Sequence, residues 1–211
     1  MFYAQNSEDE IIHEYFWSDV QKKMTQFNLL SLGENDGKTY SNALSLIEFG
    51  WKAVLVEPSP TAFTKLCKLH AKREGVYCYE KAVGSFNGKV ILHDSGTHLN
   101  RGDTSLVSTI KPEEKSRWVN EKFTEVEVDC VTFETLLSLC TIKQFDFITM
   151  DIEGMEKEVL PQMDLKALGC KIICIEHNSN VDIKKFIIDY CSKYGLNKII
   201  LDNAENIIIC K

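Results

Sequence analysis

The residues best suited to chemistry stand at the ends of apolar runs. In Met150-Asp151-Ile152-Glu153-Gly154, two carboxylates two residues apart follow the run Phe145–Met150. Residues at i and i+2 of an extended chain point the same way, so both acids would project together from the end of a strand. Such a pair can orient a ligand or hold a proton, or it can cap and complement the dipole of a helix starting near Gly154. Ile175-Glu176-His177-Asn178 closes a second apolar run. The ordinary pKa of a histidine, near ~6.5, fits His177 for a general base; a purely structural imidazole is the alternative. Asp151, Glu153 and His177 would also make a ligand set for a divalent ion that acidifies a bound hydroxyl.

Two further segments bear on ligand binding. Ser31-Leu32-Gly33-Glu34-Asn35-Asp36-Gly37-Lys38-Thr39 carries two glycines four apart after an apolar run. They let the backbone turn sharply and approach a ligand, or form a tight turn and nothing more. Glu57-Pro58 ends the next run, 24 residues after Gly33. An acid there can accept hydrogen bonds from both hydroxyls of an adenosine ribose, and the separation is close to the ~20 residues usual for that pairing. In Lys81-Ala82-Val83-Gly84, backbone and small apolar groups are suited to an adenine.

These positions require a framework that brings strand ends together. Short β-rich runs alternate with helix-length amphipathic stretches. Strands are predicted at 27–32, 53–56, 76–79, 89–93, 124–130, 145–150, 171–176, 198–201 and 206–210. Helices are predicted at 11–20, 39–49, 60–72, 132–139, 156–168 and 182–193, with Ser7 and Glu10 forming a capping box before the first. A short helix should open at Lys111-Pro112-Glu113-Glu114. Strand and helix in succession imply a mostly parallel seven-stranded α/β sheet with helices on both faces. The turn at Asp202-Asn203 joins the last two strands as a hairpin, so the sheet ends antiparallel. The ligand crevice of such a sheet lies beyond the carboxyl ends of its strands.

Length and composition set outer bounds. A chain of 211 residues, 44% hydrophobic and 26% charged, is expected to fold as one domain, residues 1–211, with residues 1–26 as an N-terminal helical segment. The formal charge of -7 argues against a nucleic-acid or anionic-membrane binder, which needs clustered Lys and Arg. The eight cysteines include no CxxC pair and no zinc spacing. They read as reduced core residues of a cytoplasmic protein. The polar first ten residues are unlike a signal peptide, and no apolar run approaches the ~20 residues of a membrane span.

Gly33-Glu34-Asn35-Asp36-Gly37, Val56-Glu57-Pro58-Ser59, Lys81-Ala82-Val83-Gly84 and Phe145-Asp146-Phe147-Ile148-Thr149-Met150-Asp151-Ile152-Glu153-Gly154 together resemble the FkbM family of methyltransferases. The resemblance runs from Tyr3-Ala4-Gln5-Asn6-Ser7-Glu8-Asp9 to Ile175-Glu176-His177-Asn178. It implies the Rossmann-like class I methyltransferase fold, S-adenosylmethionine as cofactor and S-adenosylhomocysteine as product. It also implies methyl transfer to a hydroxyl, often on a sugar. On that reading Ser31, Gly33, Glu34, Asn35 and Gly37 shape the methionine pocket. Glu57 and Pro58 take the ribose, Ala82 and Val83 flank the adenine, and Asp151 and Glu153 face the sulfonium or the acceptor. His177 is the candidate base. Such families usually carry Asp at the position of Ser31 and a small residue at that of Glu34.

The Gly-, Ser- and charge-rich stretch 94–123 is the expected acceptor-binding insertion. Within it Arg101, Ser105 and Trp118 are candidates to contact a small-molecule or glycan acceptor, with Asn178 from outside it. Gln5 or Asn6 would fold over the cofactor. A nicotinamide oxidoreductase and a non-catalytic binding module share the fold. The first calls for GxGxxG spacing, which the turn at Gly33 lacks.

Overall fold

The computed structural model describes residues 1–21, 26–99 and 103–211, without the side chains of 18–21. Its main sheet has seven strands in the order β3-β2-β1-β7-β8-β10-β9. These are β1 (Asn28–Leu32), β2 (Lys52–Val56), β3 (Val76–Tyr79), β7 (Phe147–Met150), β8 (Ile172–Glu176), β9 (Lys198–Asp202) and β10 (Asn206–Cys210). The first five pair in parallel, and β10 runs antiparallel to both β8 and β9. The hairpin expected at the end of the chain is therefore present, with β10 inserted inside the sheet. Two further expected strands lie elsewhere. β5 (Gly88–Ser95) and β6 (Phe123–Val131) pair antiparallel and, with β4 (Ala82–Val83), form a separate three-stranded sheet.

Strand side chains alternate between two cores. Leu30, Leu32, Ile148, Met150, Ile173 and Ile175 pack on one face with α4 (Phe133–Leu139), α5 (Glu156–Val159) and α6 (Val181–Ser192). Leu29, Leu55, Phe147, Ile172 and Cys174 pack on the other with α1 (Glu8–Gln21), α2 (Leu44–Glu48) and α3 (Pro60–His70). Burial on both faces explains why the parallel strands read as unbroken apolar runs. All eight cysteines are free, and six are buried among these hydrophobic residues. No helix among the described residues is long and apolar enough to cross a membrane.

Three helices depart from the expected bounds. The helix expected at 39–49 begins only at Leu44, because side chains take the backbone amides that would start it. Asp36 Oδ1 accepts from the amides of Lys38 and Thr39, and Ser41 Oγ accepts from those of Ala43 and Leu44. The helix expected at 156–168 stops after one turn, where Pro161 falls in a 3-10 turn, Leu160–Gln162, and has no N–H to continue the ladder. α1 starts at Glu8, three residues early. Ser7 sits at a φ of 64°, not in the extended region of a capping residue.

Candidate active site

The ends of β1, β2, β7 and β8 open on one cavity of about 280 Å3. The chain after β1 forms its floor. Gly33 (φ 82°) passes so close to β7 that a Cβ there would lie 1.7 Å from the carbonyl oxygen of Asp151. The amides of Gly33 and Glu34 both donate to the carbonyl of Val56, which ties the turn to β2.

Two buried carboxyls organise that turn. Glu57 Oε2 accepts from the amide of Asn35 and its Oε1 from the amide of Ser59, each at 2.8 Å. Burial pushes its pKa up to about 8, against the lowering effect of those two donors. Glu34 turns back beneath β1: its Oε2 accepts from Ser31 Oγ and its Oε1 from Ser41 Oγ, both at 2.5 Å. Burial raises it to about 7. A carboxyl thus stands against Ser31.

The opposite wall is more acidic. Asp151, Glu153 and Glu176 each bring a carboxylate oxygen within 4.8 Å of the others. β7 and β8 pair Met150 with Ile175, so the next residue of each strand, Asp151 and Glu176, fall side by side. Burial drives Glu176 well above the carboxylate range, and Asp151, Glu153 and Glu156 add to the rise. Glu153 is raised well above it too, by burial and then by Asp151, against the pull of Arg117, whose Nη1 lies 3.7 Å from Glu153 Oε2. Asp151 stands open to the cavity, yet the protein around it strips enough hydration to raise it to about 6.

The roof comes from three other segments. The N-terminal stretch reaches over the site, where Ala4 bridges to Tyr40 and Gln5 lines the cavity. Glu8 is fully buried against the cavity and accepts from Asn206 Nδ2 at 2.9 Å. From the 94–123 segment, His98, Ser105 and Trp118 line the cavity, with the His98 ring edge-on to Trp118 at 4.9 Å. The segment is fixed by Ser59 Oγ donating to Ser105 Oγ and Asn35 Nδ2 donating to the carbonyl of Thr104.

Around this cavity the fold gathers Ser31, Gly33, Glu34, Asn35, Glu57, Pro58, Ala82, Val83, Ser105, Trp118, Asp151, Glu153 and Asn178. Gly37 is elsewhere: it packs on α3, and a Cβ there would lie 2.6 Å from Leu66 Cδ1. His177 is also turned away. It is buried, its Nδ1 accepts from the amide of Ser179 at 3.1 Å, and its Nε2 faces Asp202 Oδ1 at 3.6 Å. Burial and then Lys184 hold its pKa down. It borders an adjoining cavity, and among the described residues the ligand atoms that come together are those of Asp151, Glu153 and Glu176, without His177. Arg101 lies outside the described residues. Sequence reasoning passed over Glu176, which ends an apolar strand just as Asp151 does. It also passed over Glu8, which reaches the site only through tertiary packing.

The cradle at Gly33, the paired acceptors of Glu57 and the acidic wall fit an adenosyl sulfonium compound. The comparisons point the same way. The family model described as "Methyltransferase FkbM domain" matches residues 31–196. No curated protein sequence matches the chain. Among solved structures, the METTL16 MTase domain superposes with a TM-score of 0.54 at 9% identity, over 95% of this chain and 64% of that one. A second crystal form of that domain gives 0.52 at 8% identity, over 94% and 64%. Monomeric WbdD gives 0.53 at 10% identity, over 98% of this chain and 41% of that one. The chain thus spans under two thirds of these neighbours, and at such identities the likeness concerns the fold, a class I methyltransferase sheet. The match over residues 31–196, more than half of the sequence, shows that the chain belongs to the FkbM family of S-adenosylmethionine-dependent methyltransferases.

Proposed function

We propose that the chain transfers the methyl group of S-adenosylmethionine to a hydroxyl, most simply of a sugar in a glycan or polysaccharide, and releases S-adenosylhomocysteine. The observation that carries this reading is the wall formed by Asp151, Glu153 and Glu176 at the carboxyl ends of adjacent strands. The bound cofactor supplies an electrophilic methyl on a positively charged sulfur. Glu57 holds the ribose hydroxyls, Ala82 and Val83 flank the adenine, and Gly33 with Asn35 and the Glu34–Ser31 pair shape the methionine end. The acidic wall favours positive charge beside it.

A sugar hydroxyl is a weak nucleophile and must lose its proton as it attacks. The wall provides the base at Glu176, whose carboxyl burial raises well above its ordinary value, making its carboxylate the stronger proton acceptor. Asp151 and Glu153 orient the hydroxyl. His177, whose ring accepts from the Ser179 amide and faces Asp202, acts as a support for the chain after β8. The rest of the rate comes from alignment of the acceptor with the methyl group.

A second reading keeps the same residues and gives the wall a divalent ion, since three carboxylate oxygens within 4.8 Å can share one. Turnover that survives exhaustive chelation removes it. The first experiment is calorimetric titration with S-adenosylmethionine, S-adenosylhomocysteine and NAD in parallel. Binding of both adenosyl compounds and not NAD, weakened at least about tenfold by Glu57→Ala, supports the proposal. Absence of adenosyl binding overturns it.

A further inference from the structure

The acidic wall gathers more negative charge than its neighbours compensate. Asp151, Glu153 and Glu176 meet at the ends of adjacent strands. Glu156 closes the turn after β7, its Oε1 accepting from the amides of Ile152 and Gly154 at 3.1 and 3.4 Å. Among the described residues a single cation makes an ion pair with these four acids: Arg117, whose Nη1 lies 3.7 Å from Glu153 Oε2. That oxygen is buried and takes no hydrogen bond among the described residues, so its compensation is electrostatic. Other basic side chains of the region are engaged elsewhere. Lys81, which lines the cavity, pairs with Asp129 at 2.7 Å; Lys111 pairs with Glu158 at 2.6 Å, and Lys184 with Asp202.

Arg117 is held in place by its own segment. It ends the 3-10 helix Pro112–Arg117, and Glu114 of that helix takes the same Nη1 at 3.0 Å. Glu114 is pressed against the turn after β7, since a Cβ on Gly154 would lie 2.8 Å from its Cγ. The guanidinium also stands 5.3 Å from the centre of the Trp118 ring, which lines the cofactor cavity. Its separation from Glu153 exceeds hydrogen-bond range, so what it gives the wall is charge. The sulfonium of the cofactor brings a second positive charge to the same carboxylates. Two cations beside one set of acids repel each other, and each weakens the other's attraction to the wall. That penalty falls on the charged cofactor and spares the neutral product. The amino and carboxylate groups of the methionine end are common to both ligands and cancel from the comparison.

We infer that Arg117 is the resident counter-cation of the acidic wall and sets how strongly the site prefers S-adenosylmethionine to S-adenosylhomocysteine. It compensates the wall in the two states that lack a sulfonium, the empty site and the product complex, and opposes the state that has one. The inference rests on the methyl-transfer reading above and adds a specificity-determining residue supplied by the 94–123 segment.

The test is calorimetric titration of the full chain with each of the two ligands, at low ionic strength, where a partly exposed charge is least screened. The ratio of the S-adenosylhomocysteine Kd to the S-adenosylmethionine Kd should be at least about threefold higher in Arg117→Gln than in the wild type. Arg117→Lys, which restores the charge, should return the ratio to within about twofold of the wild type. A purely structural role would move both affinities together and leave the ratio unchanged. Should Arg117→Gln fail to fold, Arg117→Met, which keeps an unbranched stem beside Trp118, carries the same comparison. An unchanged or lower ratio in the folded neutral variant overturns the inference, as does an equal rise in Arg117→Lys. A wild-type chain that binds neither ligand is a different result and removes the methyl-transfer reading itself.

Discussion

Replacing Gly33 by Ala tests the central claim about the cofactor floor, because its cost separates into two parts. The residue holds a φ of 82°, a left-handed conformation that costs a residue with a Cβ about 1–2 kcal/mol. The new Cβ would also stand 1.7 Å from the Asp151 carbonyl oxygen, a backbone atom that cannot swing aside. Relieving it means moving the β1 turn away from the end of β7, an overpacking cost of about 1–3 kcal/mol. The sum, about 2–5 kcal/mol, corresponds to a drop in Tm of about 4–20 °C for a chain of this size. Gly50 supplies the control, since its φ is 94° but nothing lies within 4 Å of its absent Cβ. Gly50→Ala should therefore carry only the conformational part. Thermal unfolding of both variants by circular dichroism, alongside titration with S-adenosylhomocysteine, reads the difference. Gly33→Ala should be the less stable and should bind the ligand more weakly, because Asp151 moves with the strand end. Equal Tm values for the two variants would refute the argument that close approach to Asp151 demands the glycine.

Other outcomes follow from the buried acids. Glu57 and Glu34, at about 8 and about 7, lie above the ordinary carboxylate value, so the folded state binds their protons more tightly than the unfolded one. Their contribution to stability is complete below the unfolded pKa and is lost as pH rises through those folded values. The ligand-free protein should thus have a higher Tm at pH 6 than at pH 8.5, with a smaller difference in Glu57→Gln; a flat or rising profile in the wild type contradicts this. Ser31→Asp sets a second acid against Glu34, whose Oε2 lies 2.5 Å from the serine oxygen, and should destabilise the chain. Combining it with Glu34→Ala should recover much of that loss, a coupling of about 1–3 kcal/mol measurable from the urea midpoints of the four proteins. His177→Ala should keep cofactor affinity and the pH dependence of kcat, while Glu176→Gln lowers kcat at least about a hundredfold. Comparable losses in both would return the base to the histidine.

The sheet and its strand ends were legible because burial on both faces leaves unbroken runs such as Ile172–Glu176, and each acid stands where a run stops. Strand parity contains more than was drawn from it. Ile173 and Ile175 face the core under α4–α6, while Ile172 and Cys174 face the other. Glu176 therefore continues one side and His177 the opposite one, so only one of them can meet Asp151. The same alternation would have singled out Glu176. The late start of α2 was hidden for a different reason. The periodicity through 39–49 is helical, but the competition for its amides by Asp36 and Ser41 depends on side-chain rotamers that no apolar pattern encodes. Glu8 was not legible at all, since its partner Asn206 is almost the whole chain away.

The position of β10 bears on how the molecule is made. It leaves a ribosome after every other strand of this sheet, yet it lies between β8 and β9 and delivers Asn206 to the cavity. From Glu176 to Cys210 is 34 residues, about 2–7 s of translation at about 5–20 residues per second. Throughout that interval the free edge of β8 exposes unpaired N–H and C=O groups to any neighbouring chain. Nascent chains stalled before Asn206 should therefore be the ones that recruit chaperones and self-associate. Ligand binding should switch on only once β10 has cleared the exit tunnel.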